Sequence, residues 1–349
     1  MKRCTNRSSN LLYRFQRQFR ATASTMKRCK KKLKKIELPD CVMSHIFSML
    51  TSKDLVKTSA LSKRWIHEWG FRTDLNFDLH NMFDYITIQD LPNTLPLFPI
   101  IQRIHFQSEF ATRLDQFMLH YQGPVIRSIR LDFPLGHDHA DVIDRLISKG
   151  IAKGAKRIEL LFSFETKEVD DFTLRMPLVP YTFSLTLLSN TDSLTYLHLR
   201  NCLLAEAADF SGLKNLTTIV LEGLAEVHYA PLLILLFSEC LQLEDATFKN
   251  CRILRPMKIT SPKLRHLNII NCGYGIHSPA TIVIDALNLS SFEYSGRTTR
   301  YISVTAPRLL SVFWNAAVRE KNQHPFSTIA RLTHIENLTM IISPSQVSQ

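Results

Sequence analysis

One template returns ten times between residues 101 and 340: an apolar residue, two variable positions, a second apolar residue, one variable position and a third. It reads Ile101-Ile104-Phe106, Ile126-Ile129-Leu131, Ala155-Ile158-Leu160, Leu194-Leu197-Leu199 and Leu216-Ile219-Leu221. It continues as Leu243-Ala246-Phe248, Leu264-Leu267-Ile269, Leu289-Phe292-Tyr294, Leu309-Val312-Trp314 and Ile335-Leu338-Met340. From Leu194 onward, successive starts lie 20 to 27 residues apart. Alternating apolar residues turn one face of a short strand inward, and the rest of each unit must cross back on a convex side. Such a unit cannot bury its apolar face alone, so the chain must stack neighbours into an elongated array. Pro231 followed by Leu232, Leu233, Leu235, Leu236 and Phe237 reads as a convex helix with proline in its first turn. The interval from Ala155 to Leu194 is too long for one unit and is expected to hold an irregular repeat around Phe172 to Leu188.

The period falls in the range of leucine-rich repeats. Cys202, Cys251 and Cys272 each follow the last apolar strand position by three residues, in LHLRNC, ATFKNC and LNIINC. That is the Asn/Cys ladder position, where a small, weakly polar group turns into the core. Cys240 reads as buried too. Seven scattered cysteines with no Cys-x-x-Cys pair fit reduced thiols better than a disulfide framework.

Ahead of the repeats, Leu38 to Trp69 reads as three short amphipathic helices. Asp40 is the expected N-cap of the first, whose apolar positions are Val42, Met43, Ile46, Phe47 and Leu50. Ser52 is the expected cap of the second, with Leu55, Val56 and Ala60. Ser62 is that of the third, with Trp65, Ile66 and Trp69. So small a unit is marginal on buried area alone, and its surplus of apolar side chains points to a docking surface.

The order Leu38-Pro39-Asp40, Ile46, Leu50, Asp54-Leu55 and Ser59-Ala60-Leu61-Ser62-Lys63-Arg64-Trp65 resembles a plant F-box. Further on, LDQFMLHYQGPVIRSIRLDF, VIDRLISKGIAKGAKRIELLF and SLTYLHLRNCLL resemble pieces of plant F-box/leucine-rich-repeat proteins. The resemblance implies an α/β chain in which a small helical F-box precedes an irregular leucine-rich-repeat solenoid. The expected parts are a basic disordered tail (1–35), the F-box (36–76), the repeats (77–342) and a short tail (343–349). It also implies docking on a Skp-type adaptor, and through it a cullin, by Leu38, Pro39, Ile46, Leu50, Leu55, Leu61 and Trp65. Many such relatives continue into a further C-terminal domain, which is expected to be absent or truncated here.

Charge bounds the other partners. Residues 1–35 carry thirteen Lys and Arg and no acid, which leaves thirty basic against thirty-one acidic side chains in the remainder. The net charge of +12 therefore belongs to a tail and not to a folded basic face, which disfavours nucleic acid. The tail reads as a nuclear-localisation patch at Lys27 to Lys35, as a transit peptide, or as a solvated extension. MKRC recurs at Met26, a candidate alternative start. No apolar run approaches the length of a membrane span, so nucleus or cytoplasm is the expected location.

Catalytic chemistry finds no seat. His137-Asp138-His139-Ala140-Asp141 is the most metal-like cluster, but it precedes an amphipathic helix whose N-terminus Asp138 or Asp141 could cap or favour, and Asp141 can pair with Arg145. Gly273-Tyr274-Gly275 lacks the remainder of a phosphate loop. No metal, cofactor or catalytic residue is expected. The residues between the apolar strand positions would instead line a concave face. Tyr196, His198, Arg200, Glu222, Asp245, Lys249, His266, Asn268 and Phe313 are its candidate contacts with a protein target. The expected function is substrate recognition in a ubiquitin ligase of the Skp–cullin–F-box (SCF) type. The alternative is a binding module for a protein or small ligand that works outside a ligase.

Overall fold

A computed structural model of the chain describes residues 39–58, 72–83, 98–162, 179–189, 191–205, 211–224, 236–253, 256–273, 281–297, 301–318 and 334–344. The chain divides into two compact units, Met1–Phe71 and Arg72–Gln349. The expected basic tail, Leu38, Leu61, Trp65 and the third helix with its Ser62 cap lie outside the described residues, as do Pro231 to Leu235.

In the first unit, helices span Asp40–Met49 and Ser52–Thr58. Both caps differ from the sequence expectation. Pro39 occupies the first N-cap with no side-chain bond, so Asp40 is already helical. The second helix is capped by Thr51 and not by Ser52. The Asp54 backbone N–H donates to the Thr51 hydroxyl (3.3 Å), and that hydroxyl donates back to the Asp54 carboxylate. The cap thus sits one residue before the one expected, and the Thr51 and Asp54 side chains hold each other.

The second unit is built on parallel strands. Among the described residues ten form one sheet: β1 (Asp74–Asp78), β2 (Ser128–Asp132), β3 (Arg157–Leu161), β5 (Tyr196–Arg200), β7 (Thr218–Glu222), β8 (Asp245–Lys249), β10 (His266–Ile270), β12 (Ser291–Arg297), β14 (Ser311–Val318) and β15 (Asn337–Pro344), paired in that order. A two-stranded sheet joins β4 (Thr182–Phe183) to β6 (Leu203–Leu204). A three-stranded parallel sheet holds β9 (Met257–Thr260), β11 (Thr281–Asp285) and β13 (Tyr301–Thr305) in the order β13-β11-β9.

From β2 to β14 the template maps onto the long sheet as expected. Ile129 and Leu131, Ile158 and Leu160, Leu197 and Leu199, Leu267 and Ile269, and Val312 and Trp314 are all buried. Each fully buried Leu or Ile contributes about 1.5–3 kcal/mol from area alone. Burial repeated strand after strand is what makes the stacked array stable. In the later repeats the returning segment is itself a strand, with Met257, Ile259, Ile282, Ile284 and Ile302 buried.

Two expectations fail. Ile101-Ile104-Phe106 does not form a strand but lies in a helix, Phe98–His120. The buried residues Gln107, Phe110, Ala111, Leu114, Phe117, Met118 and Tyr121 follow helical spacing, which outweighs a three-residue match to the template. The first strand of the sheet is β1, whose Leu75 and Phe77 are buried and which straddles the expected boundary at 76/77. The irregular repeat expected around Phe172 to Leu188 lies partly outside the described residues, and β3 pairs directly with β5 in the long sheet. The described part of that interval supplies β4 and a 3-10 turn, Leu185–Leu188.

The turns that leave the strands share one backbone device. Asn201, Asn250 and Asn271 have φ of 55°, 54° and 51°, and Gly223 has φ of 63° at the equivalent place after β7. Among non-glycine residues asparagine tolerates this left-handed region best. Each of these four N–H groups donates to the neighbouring strand at 2.6–2.8 Å, those of Asn201, Gly223 and Asn250 to its last carbonyl and that of Asn271 to the Ser295 carbonyl within β12. The next residue then turns inward: Cys202, Leu224, Cys251 and Cys272 are buried, as is Cys240. The ladder thiols donate to the carbonyls two residues earlier, those of Arg200, Lys249 and Ile270.

Candidate functional site

The first candidate surface is on the Asp40–Met49 helix. Its apolar residues divide between two faces, because positions one residue apart diverge by about 100°. Met43 and Phe47 are buried, while Val42, Ile46 and Met49 are 40%, 38% and 74% exposed. Pro39 is exposed and Leu50 half-buried. Leu55, expected to dock a partner, is instead fully buried and supports the unit from inside. Val42 and Met49 are the outward residues that the sequence reading did not assign to docking. Their positions flanking Ile46 on the helical wheel were the available signal.

The second candidate surface is the outward face of the long sheet, where strand register aligns side chains into rows. One row runs Arg157, Tyr196, Thr218, Asp245, His266, Ser291 and Ser311. The next runs Arg130, Glu159, His198, Val220, Thr247, Asn268, Glu293, Phe313 and Thr339. A third carries Arg200, Glu222, Lys249, Ile270, Ser295 and Asn315.

Among the predicted contacts, the structure gathers three around the carboxylate of a fourth, Glu222. Glu222 accepts from Arg200 Nε at 2.9 Å and lies 3.0 Å from Lys249 Nζ, with His198 Nε2 at 3.7 Å. Burial alone would raise the Glu222 pKa, but hydrogen bonds from Lys249 and Arg200 outweigh it and hold the carboxyl below its ordinary range. Burial, assisted by the Arg200 charge, lowers that of His198, whose Nε2 makes no hydrogen bond. Glu222 is thus a clamp across β5, β7 and β8.

A second charged group adjoins it on strands that sequence reasoning left out of the site. Glu159 is buried, pairs with Arg157 on its own strand and lies 3.5 Å from Arg130 Nη1 on β2. The Arg157 guanidinium stacks 3.5 Å above the centroid of the Tyr196 ring, a cation–π contact. Arg130 also bonds Asp132 at 2.8 Å. These residues occupy the same alternate positions as Tyr196 and His198, so the strand template itself was the signal for them.

The other predicted contacts are dispersed. His266 and Asp245 stand 4.0 Å apart and half in water. Asn268 donates to the Thr247 hydroxyl at 3.1 Å. Phe313 lies between Glu293 and Thr339 in its row. Chemically, the face offers mixed charge, amides, hydroxyls and rings, which suits a peptide or protein surface. The histidine–aspartate segment at 137–141 opens a helix, Ala140–Ala152. His139 is its N-cap without a side-chain bond, so neither aspartate caps the helix, while Asp141 lies in its first turn, where a negative charge favours the N-terminus as expected. Asp141 pairs with Arg145 as expected, at 3.1 Å, and Arg145 also holds Asp115 at 2.9 Å. Among the described residues no helix is long and apolar enough to cross a membrane.

Comparison with known proteins accounts for both units. The F-box domain model matches residues 36–67, and the At1g61320/AtMIF1 LRR domain model matches residues 123–343. F-box/LRR proteins are generally of a non-catalytic adaptor type, and F-box domains in general bind Skp-type adaptors. The F-box/LRR-repeat protein At3g26922 of Arabidopsis thaliana is 26% identical over 89% of this chain and 90% of its own length. Two further Arabidopsis thaliana proteins are longer. The F-box/FBD/LRR-repeat protein At3g26920 is 26% identical over 70% of this chain and 50% of itself. The putative F-box/FBD/LRR-repeat protein At5g22610 is 25% identical over 90% and 54%. The chain thus spans about half the length of those two relatives. No solved structure matches. The repeat match covers well over half of the sequence, and the chain belongs to the plant F-box/leucine-rich-repeat family.

Proposed function

We propose that this chain is the substrate-recognition subunit of an SCF-type ubiquitin ligase. Its first unit docks a Skp-type adaptor, and through it a cullin, while its sheet face holds a target protein. Ubiquitin transfer then gains from raised local concentration and fixed orientation, with no bond chemistry done by this chain. The observation that carries the reading is the exposed apolar face of the F-box helix. Val42, Ile46 and Met49 face water within the segment that the F-box model matches, beside Pro39. Leu38, Leu61 and Trp65 join this face by resemblance, and Leu55 acts beneath it. The location that goes with this reading is nucleus or cytoplasm, with Lys27 to Lys35 as the import signal.

The test is capture of a purified Skp-type adaptor by the full chain and by an Ile46→Asp variant. Ile46 lies at the surface, so the variant is expected to fold and to lose at least tenfold in affinity. A Leu38→Ala/Pro39→Ala double variant should weaken binding likewise. Adaptor binding unchanged by either variant would refute the docking face. A wild-type chain that binds no adaptor would favour the non-degradative module.

A further inference from the structure

The last strand of the long sheet is paired on one side only among the described residues: β15 bonds to β14 and ends the strand order. The Asn337 N–H donates to the Leu310 carbonyl at 2.9 Å, which fixes the alternation along the strand. Backbone groups of Asn337, Thr339, Ile341 and Ser343 face β14, and those of Leu338, Met340 and Ile342 face the open edge. Leu338 is 49% exposed although it is in register with buried Val312, and Ile341 is 45% exposed. Edge strands are ordinarily protected by charge, a bulge or an early proline. Asn337 to Pro344 carries no charged residue, its register runs unbroken over eight positions, and its proline comes last.

We propose that this edge is a self-association site, at which β15 pairs antiparallel with β15 of a second copy of the chain. The register supplies the reason for choosing a second copy. A two-fold axis through Met340 sets Leu338 opposite the partner's Ile342 and Met340 opposite the partner's Met340. Those are the residues whose backbone groups face outward, so both can exchange their hydrogen bonds. Met340 meets its own copy, Thr339 stands opposite the partner's Ile341, and no like charges meet. Pairing with the opposite end of the sheet would be open-ended. That end is β1, which carries Asp74 and Asp78 and is the poorer template. A dimer also presents two copies of each binding surface, which strengthens capture of a target that both can reach.

The test is analytical ultracentrifugation of the full chain from about 1 to 100 µM, because an interface this small associates weakly. Expected is a rise from monomer towards twice the monomer mass. It should be accompanied by concentration-dependent protection of the Leu338, Met340 and Ile342 amides in hydrogen exchange. Met340→Pro removes one outward donor and spares the bonds to β14, and it should remain monomeric. Thr339→Lys, a milder change on the exposed face, should weaken the dimer at least tenfold with the circular dichroism spectrum retained. A chain that stays monomeric at the highest concentration would overturn the proposal. So would a dimer that survives in both variants, protection located elsewhere, or growth beyond two copies.

Discussion

Replacing Glu222 by Gln keeps the side-chain shape and removes the charge that joins three strands. The carboxylate is 15% exposed, and it is bound by Arg200, 28% exposed, and Lys249, 46% exposed. A shielded charge-assisted hydrogen bond contributes about 1.5–3 kcal/mol. The Arg200 bond belongs near the lower end, because part of its guanidinium is in water. The Lys249 pair is half solvated and contributes about 0.5 kcal/mol. Glutamine retains a neutral acceptor, returning roughly a third of the total, so the net loss should be about 1–1.5 kcal/mol.

The assay is urea denaturation of wild type, Glu222→Gln, Arg200→Met and the double variant. The cycle should give a coupling of about 1 kcal/mol between the two positions. Acid provides an independent check. Because the folded pKa is depressed, the stability that Glu222 contributes is present above its unfolded value of about 4.3 and is lost as pH falls through the folded value. The gap between wild type and Glu222→Gln should therefore be constant near neutrality and close in acid. Coupling indistinguishable from zero, or a gap that widens in acid, would refute the clamp.

Other perturbations read different parts of the structure. Gly223→Ala places a Cβ at φ of 63°, 2.1 Å from Asn201 Oδ1, and should cost about 1–2 kcal/mol in a denaturant melt. Asn250→Gly should cost clearly less, since glycine already serves that turn after β7. Burial pushes the Cys202 thiol up, and that of Cys240 to about 12, so both should resist a thiol reagent at pH 8 until urea unfolds the chain. Labelling of the native chain at these two residues, read by peptide mass, would contradict the ladder packing.

Legibility followed how many residues carried each signal. The long sheet was readable because burial of two alternate positions per strand, reinforced by a cysteine three residues on, repeats many times. The helix at Phe98–His120 was misread because three residues can satisfy both periods. Only the longer series from Gln107 to Tyr121 distinguishes them. The convex strands went unread, although Met257-Lys258-Ile259-Thr260 alternates cleanly and Thr281-Ile282-Val283-Ile284 is a run of β-branched residues. Cap positions slipped by one residue, since Thr51 and Ser52 are both competent caps and only the backbone decides between them. On the F-box helix, the sequence showed an apolar surplus but not its division. Burial of Met43 and Phe47 beneath Val42 and Ile46 required the packed helix.

On the proposed reading, the pairing pattern on the sheet face also orders its residues as target contacts. Glu159 and Glu222 are already bound by arginine and lysine, so recruiting those cations to a target would strand a shielded carboxylate. Stranding one shielded charge costs about 1–3 kcal/mol, which a new contact must first offset. Further along the face the rows change to Asn268, Ser291, Glu293, Ser295, Phe313 and Asn315. Among the described residues no ion pair there has to be broken, and the Phe313 ring can be covered at little polar cost. Phe313→Ala and Glu293→Ala should therefore reduce capture of a cognate target severalfold while leaving the melting curve nearly unchanged. Arg157→Ala and Arg200→Ala should act mainly through stability, lowering capture only as far as they lower the folded fraction. Equal losses of capture from both groups at matched stability would show that the charged clusters, despite their internal pairing, meet the target directly.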